Sequence, residues 1–174
     1  MNIKQLEHIL RASGSITGCR EIVVIGSQSL LASFPDAPDD LLGSMEVDCY
    51  PVDIPSRADL IDGSIGELSP FHETFGYYAH GIGPETASLP AGWRRRVVRL
   101  ESENTGGTVG LCLSAADLAV SKLLAGREKD IEFVRSMLGA GIVDAATIRS
   151  LTTELQPEQA SRLEVILTVS LRGA

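Results

Sequence analysis

Aromatic residues are scarce in this sequence: four Phe, three Tyr and one Trp make up 5% of 174 residues. Cysteine is scarcer still. Cys19, Cys49 and Cys112 are odd in number, and their separations fit no zinc motif, which excludes a disulfide framework and a structural zinc site. Two of the three fall in predicted strands, where a free thiol acts as a small hydrophobe. No activating context for a thiolate is legible, and the usage fits a reducing cytoplasm. Long hydrophobic runs are missing as well. The longest, such as Ile22–Ile25, falls far below the roughly 20 residues of a membrane span. Met1–His8 carries acid and amide where a leader would be apolar, so no signal peptide is expected. A basic excess is also lacking. Net charge is −8, with 13 acids and 4 bases in residues 1–87 and near balance afterwards. That argues against bulk duplex binding, which needs a basic surface, while leaving room for a local basic site.

What is present is ordinary for a folded chain. Hydrophobic residues make up 44%, too many for disorder, and the length fits a single domain over 1–174. Ile3, Leu6, Ile9 and Leu10 predict a helix over 2–13 that Gly14 ends. Residues 21–26 read as a strand buried on both faces, and 27–34 as a short helix. Alternation over 45–52 predicts a second strand with Val47 and Cys49 on one face, Glu46 and Asp48 on the other. Ser56 is expected to cap a helix from Arg57 to Gly66. Three more strands are expected within 75–82, 94–101 and 108–113, with Gly106-Gly107 as a hairpin turn. Ser114 starts a helix in which Asp117 can accept from first-turn amides. Gly126 breaks it, and further helices follow from Glu128, Asp144 and Pro157. The reading is an α/β (α+β) domain: a mixed sheet over 20–113, flanked by helices, and a helical tail over 114–174.

Two local features carry chemistry. The first is strand, Gly26-Ser27, helix: glycine lets backbone approach a ligand, and a helix start offers free N–H groups to an anion. A plain tight turn is the structural alternative. The second is Glu46-Val47-Asp48. Residues i and i+2 of a strand share a face, with Cα atoms roughly 6.5–7 Å apart. Two such carboxylates repel unless a proton or cation lies between them, and Mg²⁺ bound by carboxylates and substrate phosphates fits. A solvated acidic strand face is the alternative.

Together, Ile22-Val-Val-Ile-Gly-Ser27 and, with 18 residues between, Glu46-Val-Asp48 resemble the nucleotidyltransferase superfamily. With Asp117-Leu-Ala-Val-Ser-Lys122 and Gly126-Arg-Glu-Lys-Asp130, the chain is similar to small bacterial nucleotidyltransferase-like domains of unknown function, related to toxins of abortive-infection-type toxin–antitoxin systems. The resemblance covers about residues 20–140. It implies metal-dependent transfer of a nucleoside monophosphate from an NTP to a hydroxyl of RNA, protein or a small molecule. It assigns Gly26 and Ser27 to the triphosphate, and Glu46 and Asp48 to catalysis through Mg²⁺ or Mn²⁺. Lys122 is assigned to catalysis and a phosphate. Arg127 and Asp130 are also assigned to the nucleotide, Asp130 lying beside Lys122 or orienting Lys122 or Arg127. A cognate antitoxin protein is an implied partner.

The departure from that pattern is a third carboxylate on a later strand. Glu101 is the best-placed candidate, with Glu103 and Asp62 behind it. Without it, a catalytically inactive nucleotide-binding or interaction protein of the same fold is the alternative reading. His72-Glu73 and His80 are read as substrate contacts or structural residues rather than catalysts. Asp59 and Asp62 read as solvated. Trp93 with Arg94–Arg96 reads as a base-protected strand edge, with nucleic-acid stacking as the alternative.

Overall fold

The computed structural model describes residues 1–172. Five strands form one mixed sheet: β1 (Glu21–Val24), β2 (Glu46–Pro51), β3 (Tyr78–Gly81), β4 (Val98–Leu100) and β5 (Val109–Cys112). Their order is β3-β2-β1-β5-β4. β1 pairs antiparallel with β2 and parallel with β5, β3 runs parallel to β2, and β4 antiparallel to β5. The central strand β1 is a β-branched run, and Ile22, Val23 and Val24 are almost wholly buried. That burial is what a short apolar run without alternation demands.

Helix α1 (Ile3–Thr17) packs on β1 and β2 beside α3 (Ala58–Ile65). It runs a turn past the expected end at Gly14. A Cβ at Gly14 would collide with the Thr108 side chain, so this glycine lets the helix approach the sheet rather than stopping it. The stop is Gly18, with φ 68°, whose N–H bonds the Gly14 carbonyl. Gly110 of β5 serves the same approach, since a Cβ there would come within 2.6 Å of Leu10.

Other expectations shift. Ser56 caps nothing: Pro55–Arg57 form a 3₁₀ turn that leads into α3. The segment 27–34 is a 3₁₀ turn over Ser27–Ala32, and a short α2 (Asp39–Leu42) precedes β2. The expected strand at 75–82 begins later, because α4 (Pro70–Phe75), capped by Ser69, takes its start. Trp93–Arg95 form a 3₁₀ turn rather than a strand edge. Arg94 stacks over Trp93 at 5.3 Å, and Arg96 turns inward.

The tail is helical as expected: α5 (Ala115–Ala125), α6 (Glu128–Gly139), α7 (Ala145–Ser150) and α8 (Pro157–Arg172). Ser114 and Asp144 accept from the N–H of Asp117 and Thr147 and cap α5 and α7. Asp117 does not cap with its carboxylate. That group is wholly buried and binds Arg96 through both oxygens, the closest contact at 2.7 Å, while Arg96 also reaches Glu154 at 2.9 Å. A buried carboxylate needs this pairing. The clamp fixes the tail to the sheet through the segment before β4. No helix among the described residues is long and apolar enough to cross a membrane.

Candidate functional site

The site is built where β1 ends. Ile25 donates to the Asp48 carbonyl at 3.0 Å, carrying the β1–β2 pairing one residue on and setting Gly26 beside β2. Gly26 is extended (φ −86°, ψ −175°), so any residue could adopt its backbone. Space is what requires glycine: a Cβ would run into the Asp48 carboxylate and come within 3.0 Å of the Asp48 Cβ. Ser27 opens the following turn at the edge of the cleft, while Gln28 and Ser29 are wholly buried behind it.

On β2 the alternation holds. Val47 and Cys49 are fully buried on the face that α1 covers, and Glu46 and Asp48 project to the other. Parallel pairing sets Glu46 opposite Tyr78 and Asp48 opposite His80. The side chains follow the register. Tyr78 donates its hydroxyl to Glu46 Oε2 at 2.9 Å. His80 Nδ1 pairs with Asp48 Oδ1 at 3.0 Å and lies 3.8 Å from Glu46 Oε1. One ligand atom from each of Glu46, Asp48 and His80 lies within 4.8 Å of the others.

The electrostatics are those of crowded anions. Burial, and then the Glu46 charge, hold the Asp48 carboxyl above the usual carboxylate range, against the opposing hydrogen bond from His80. Burial and the hydrogen bond to Glu46 push the Tyr78 phenol up to about 12, keeping it a donor at neutral pH. A cation between the two carboxylates relieves this repulsion. Two carboxylates and an imidazole are a donor set that suits a divalent ion. The absence of a Cβ at Gly26 leaves the space that the Asp48 carboxylate occupies.

The facing wall comes from the α5–α6 corner. Gly126, with φ 70°, ends α5 and lets Arg127 start α6. Asp130, 1% exposed, accepts from Lys122 Nζ at 3.0 Å and from Arg127 Nε. Burial alone would raise its carboxyl, but the hydrogen bonds from Arg127 and Lys122 outweigh that and hold it below the usual range. Lys122 also sits 5.3 Å above the Phe133 ring. The Asp130 hydrogen bond raises Arg127 in turn, with a smaller contribution from Asp48 across the gap. Between the walls is a cleft of about 570 Å³.

Gly26, Ser27, Glu46, Asp48, Lys122, Arg127 and Asp130, far apart in sequence, therefore line one cleft. Glu101 does not join them. It pairs with Arg20 at 3.3 Å, just before β1, at the opposite end of that strand from Gly26. Glu103 lies in the turn before β5, and Asp62 is exposed on α3. The side chain that stands beside Glu46 and Asp48 is His80, which the sequence reads as a substrate contact or a structural residue. Its signal was there: it lies in the next expected strand, two residues from Tyr78, on the parity that faces the acids. His72 accepts from the Leu68 N–H at 3.0 Å and packs at a tilt against the Tyr78 ring, outside the Glu46–Asp48–His80 cluster. All three cysteines are buried, and burial pushes the Cys49 and Cys112 thiols up to about 12, which disfavours the reactive thiolate at those two.

The family described as "Nucleotidyltransferase of unknown function (DUF6036)" matches residues 3–165, extending the resemblance beyond 20–140 at both ends. No characterised protein and no solved structure matches the chain significantly. With nearly its whole length matched, the chain belongs to this nucleotidyltransferase family.

Proposed function

We propose that this nucleotidyltransferase moves a nucleoside monophosphate from an NTP to a hydroxyl acceptor, with Mg²⁺ or Mn²⁺ held by Glu46 and Asp48. One observation carries the reading: two carboxylates forced together on β2 face the Lys122–Asp130–Arg127 group across a cleft wide enough for a nucleotide. When bound, the cation supplies charge neutralisation and Lewis acidity at the phosphates.

The chain's own residues do the rest by position and charge. Lys122 offers the phosphates a point charge, and Arg127, with 61% of its side chain exposed, offers a planar fork. Asp130 is a positioning residue, since it aims both cations without itself being open to the cleft's solvent. Ser27 brings a hydroxyl and a backbone N–H to the phosphate end. In the reaction, the acceptor oxygen bonds to the α-phosphorus, the bond from it to the α–β bridging oxygen breaks, pyrophosphate leaves with that electron pair, and the acceptor hydroxyl's proton passes to solvent water. Catalysis of this kind rests on alignment and preorganised charge.

The test is transfer itself. The full chain, incubated with Mn²⁺ or Mg²⁺, α-labelled NTPs, total RNA and whole-cell protein, is expected to label an acceptor and release pyrophosphate. Asp48→Asn is expected to do neither. Equal labelling by wild type and Asp48→Asn overturns metal-dependent transfer. Nucleotide binding without pyrophosphate release supports a binding module of the same fold.

A further inference from the structure

We propose that His80 is the third protein ligand of this cation, and that its nitrogen makes the site prefer Mn²⁺ to Mg²⁺. The proposal rests on the metal-dependent reading above and adds to it a ligand and a choice of ion.

Placement is the first argument. His80 stands opposite Asp48 because β3 pairs with β2 in parallel, in the register that also sets Tyr78 opposite Glu46. Both pairs are joined at the side-chain level, which anchors the register on this face. His80 turns Nδ1, rather than a ring edge, to the two carboxylates, at 3.0 Å from Asp48 Oδ1 and 3.8 Å from Glu46 Oε1. The group therefore offers two oxygens and one nitrogen to a common point, all within 4.8 Å. Glu101, the acid expected in this role, is at the other end of β1.

Ligand chemistry is the second. Mg²⁺ is a hard ion that takes oxygen ligands and gives up its waters reluctantly. Imidazole is a ligand of first-row transition ions, and Mn²⁺ is the one among them that shares the carboxylate preference of Mg²⁺, so an added nitrogen tilts a two-carboxylate site from Mg²⁺ toward Mn²⁺. An imidazole in place of a third carboxylate also removes one anionic ligand, and a hard ion loses more by that than a softer one. Tyr78 supports the set from behind: its hydroxyl holds Glu46 Oε2 and leaves Oε1 toward His80.

The test uses the full chain without nucleotide. Mn²⁺ binding is followed by electron paramagnetic resonance, Mg²⁺ is added as competitor, and pulsed measurements look for a directly bonded nitrogen. Wild type is expected to show the nitrogen coupling and to hold Mn²⁺ against excess Mg²⁺. His80→Gln should lose the coupling and weaken Mn²⁺ by at least roughly ten-fold, the lower bound of what even an outer partner's loss costs. His80→Asp should lose the coupling while shifting the preference toward Mg²⁺. The side chain is 48% exposed, so neither change disturbs the core. Mn²⁺ bound to wild type without nitrogen coupling, or an unchanged Mn²⁺-to-Mg²⁺ ratio in His80→Asp, overturns the role of His80 and leaves the two carboxylates in place. No Mn²⁺ bound by wild type overturns the metal reading as a whole.

Discussion

Replacing Asp48 by Asn is expected to make the metal-free protein more stable while destroying its response to a cation. Glu46 and Asp48 hold carboxylate oxygens within 4.8 Å of one another. Two unit charges at that separation repel by about 0.9 kcal/mol in water and about 3.5 kcal/mol at an effective dielectric of 20. The Asp48 side chain is 28% exposed and that of Glu46 37%, which places the pair between these limits. An asparagine oxygen still accepts from His80, so part of the present hydrogen bonding survives. The net gain is about 1 kcal/mol, or a melting temperature higher by roughly 2–4 °C for a domain of this size. The pH dependence has a definite sign. The Asp48 carboxyl is raised in the folded state, so the folded chain holds this proton more tightly than the unfolded one. Its favourable contribution is complete below the unfolded value of about 4 and is lost as pH rises through the folded value. The advantage of Asp48→Asn should therefore be absent in acid, grow across that window, and stay level through neutrality. A divalent ion takes over the proton's role at neutral pH, stabilising wild type and not the variant. Thermal melts from pH 4 to 8, in chelator and in Mn²⁺, read all of this. An Asn variant less stable than wild type in chelator at pH 7.5, or an equal Mn²⁺ shift in both proteins, refutes the reasoning.

Arg96→Met should lower stability by about 3–5 kcal/mol in urea titrations, because it strands the wholly buried Asp117 without its partner. Adding Asp117→Asn to that variant should recover part of the loss. Gly26→Ala keeps an allowed backbone and drives a methyl group into the Asp48 carboxylate. Circular dichroism should be unchanged and Mn²⁺ affinity strongly reduced; unchanged affinity would refute this role of Gly26. All three thiols are buried, so a thiol reagent should label none of them in the native state at pH 8 and all three in denaturant. Rapid native labelling of Cys49 would contradict the packing of α1 on β2.

The parts of the site that were legible are those fixed by local geometry. Glu46 and Asp48 share a face because a strand alternates, whatever surrounds it. Gly26-Ser27 marks a turn after an apolar strand for a similar reason. The third side chain of the cluster, His80, is different in kind. It depends on which strand lies beside β2 and in what register, and 32 residues separate Asp48 from His80. The sheet order puts β3 there and sends β4, with Glu101 behind it, to the far edge. Gly14 shows the same limit in the fold. Its composition reads as a helix stop, yet Thr108, more than ninety residues away, decides that it is a contact point instead. Asp117 follows suit: three residues after Ser114 it reads as a capping acid, and only the approach of Arg96 reveals an ion pair.

The charge balance of the cleft joins these observations. Glu46, Asp48 and Asp130 face Lys122 and Arg127, while Asp40 and Lys129 on the same walls cancel, leaving one formal negative charge. An NTP is a polyanion, so the cleft without a cation does not attract it, despite two well-placed bases. Asp130 is the reason. It uses part of the positive charge of Lys122 and Arg127 to hold them in place, trading attraction for position. A divalent ion on β2 reverses the sign of the cleft. Nucleotide and cation must then strengthen each other's binding by the same factor, because coupling between two sites is reciprocal. The acidic first half of the sequence acquires a local meaning from this. In the proposed function its two site acids do not merely tolerate a cation; they make the nucleotide's entry conditional on one.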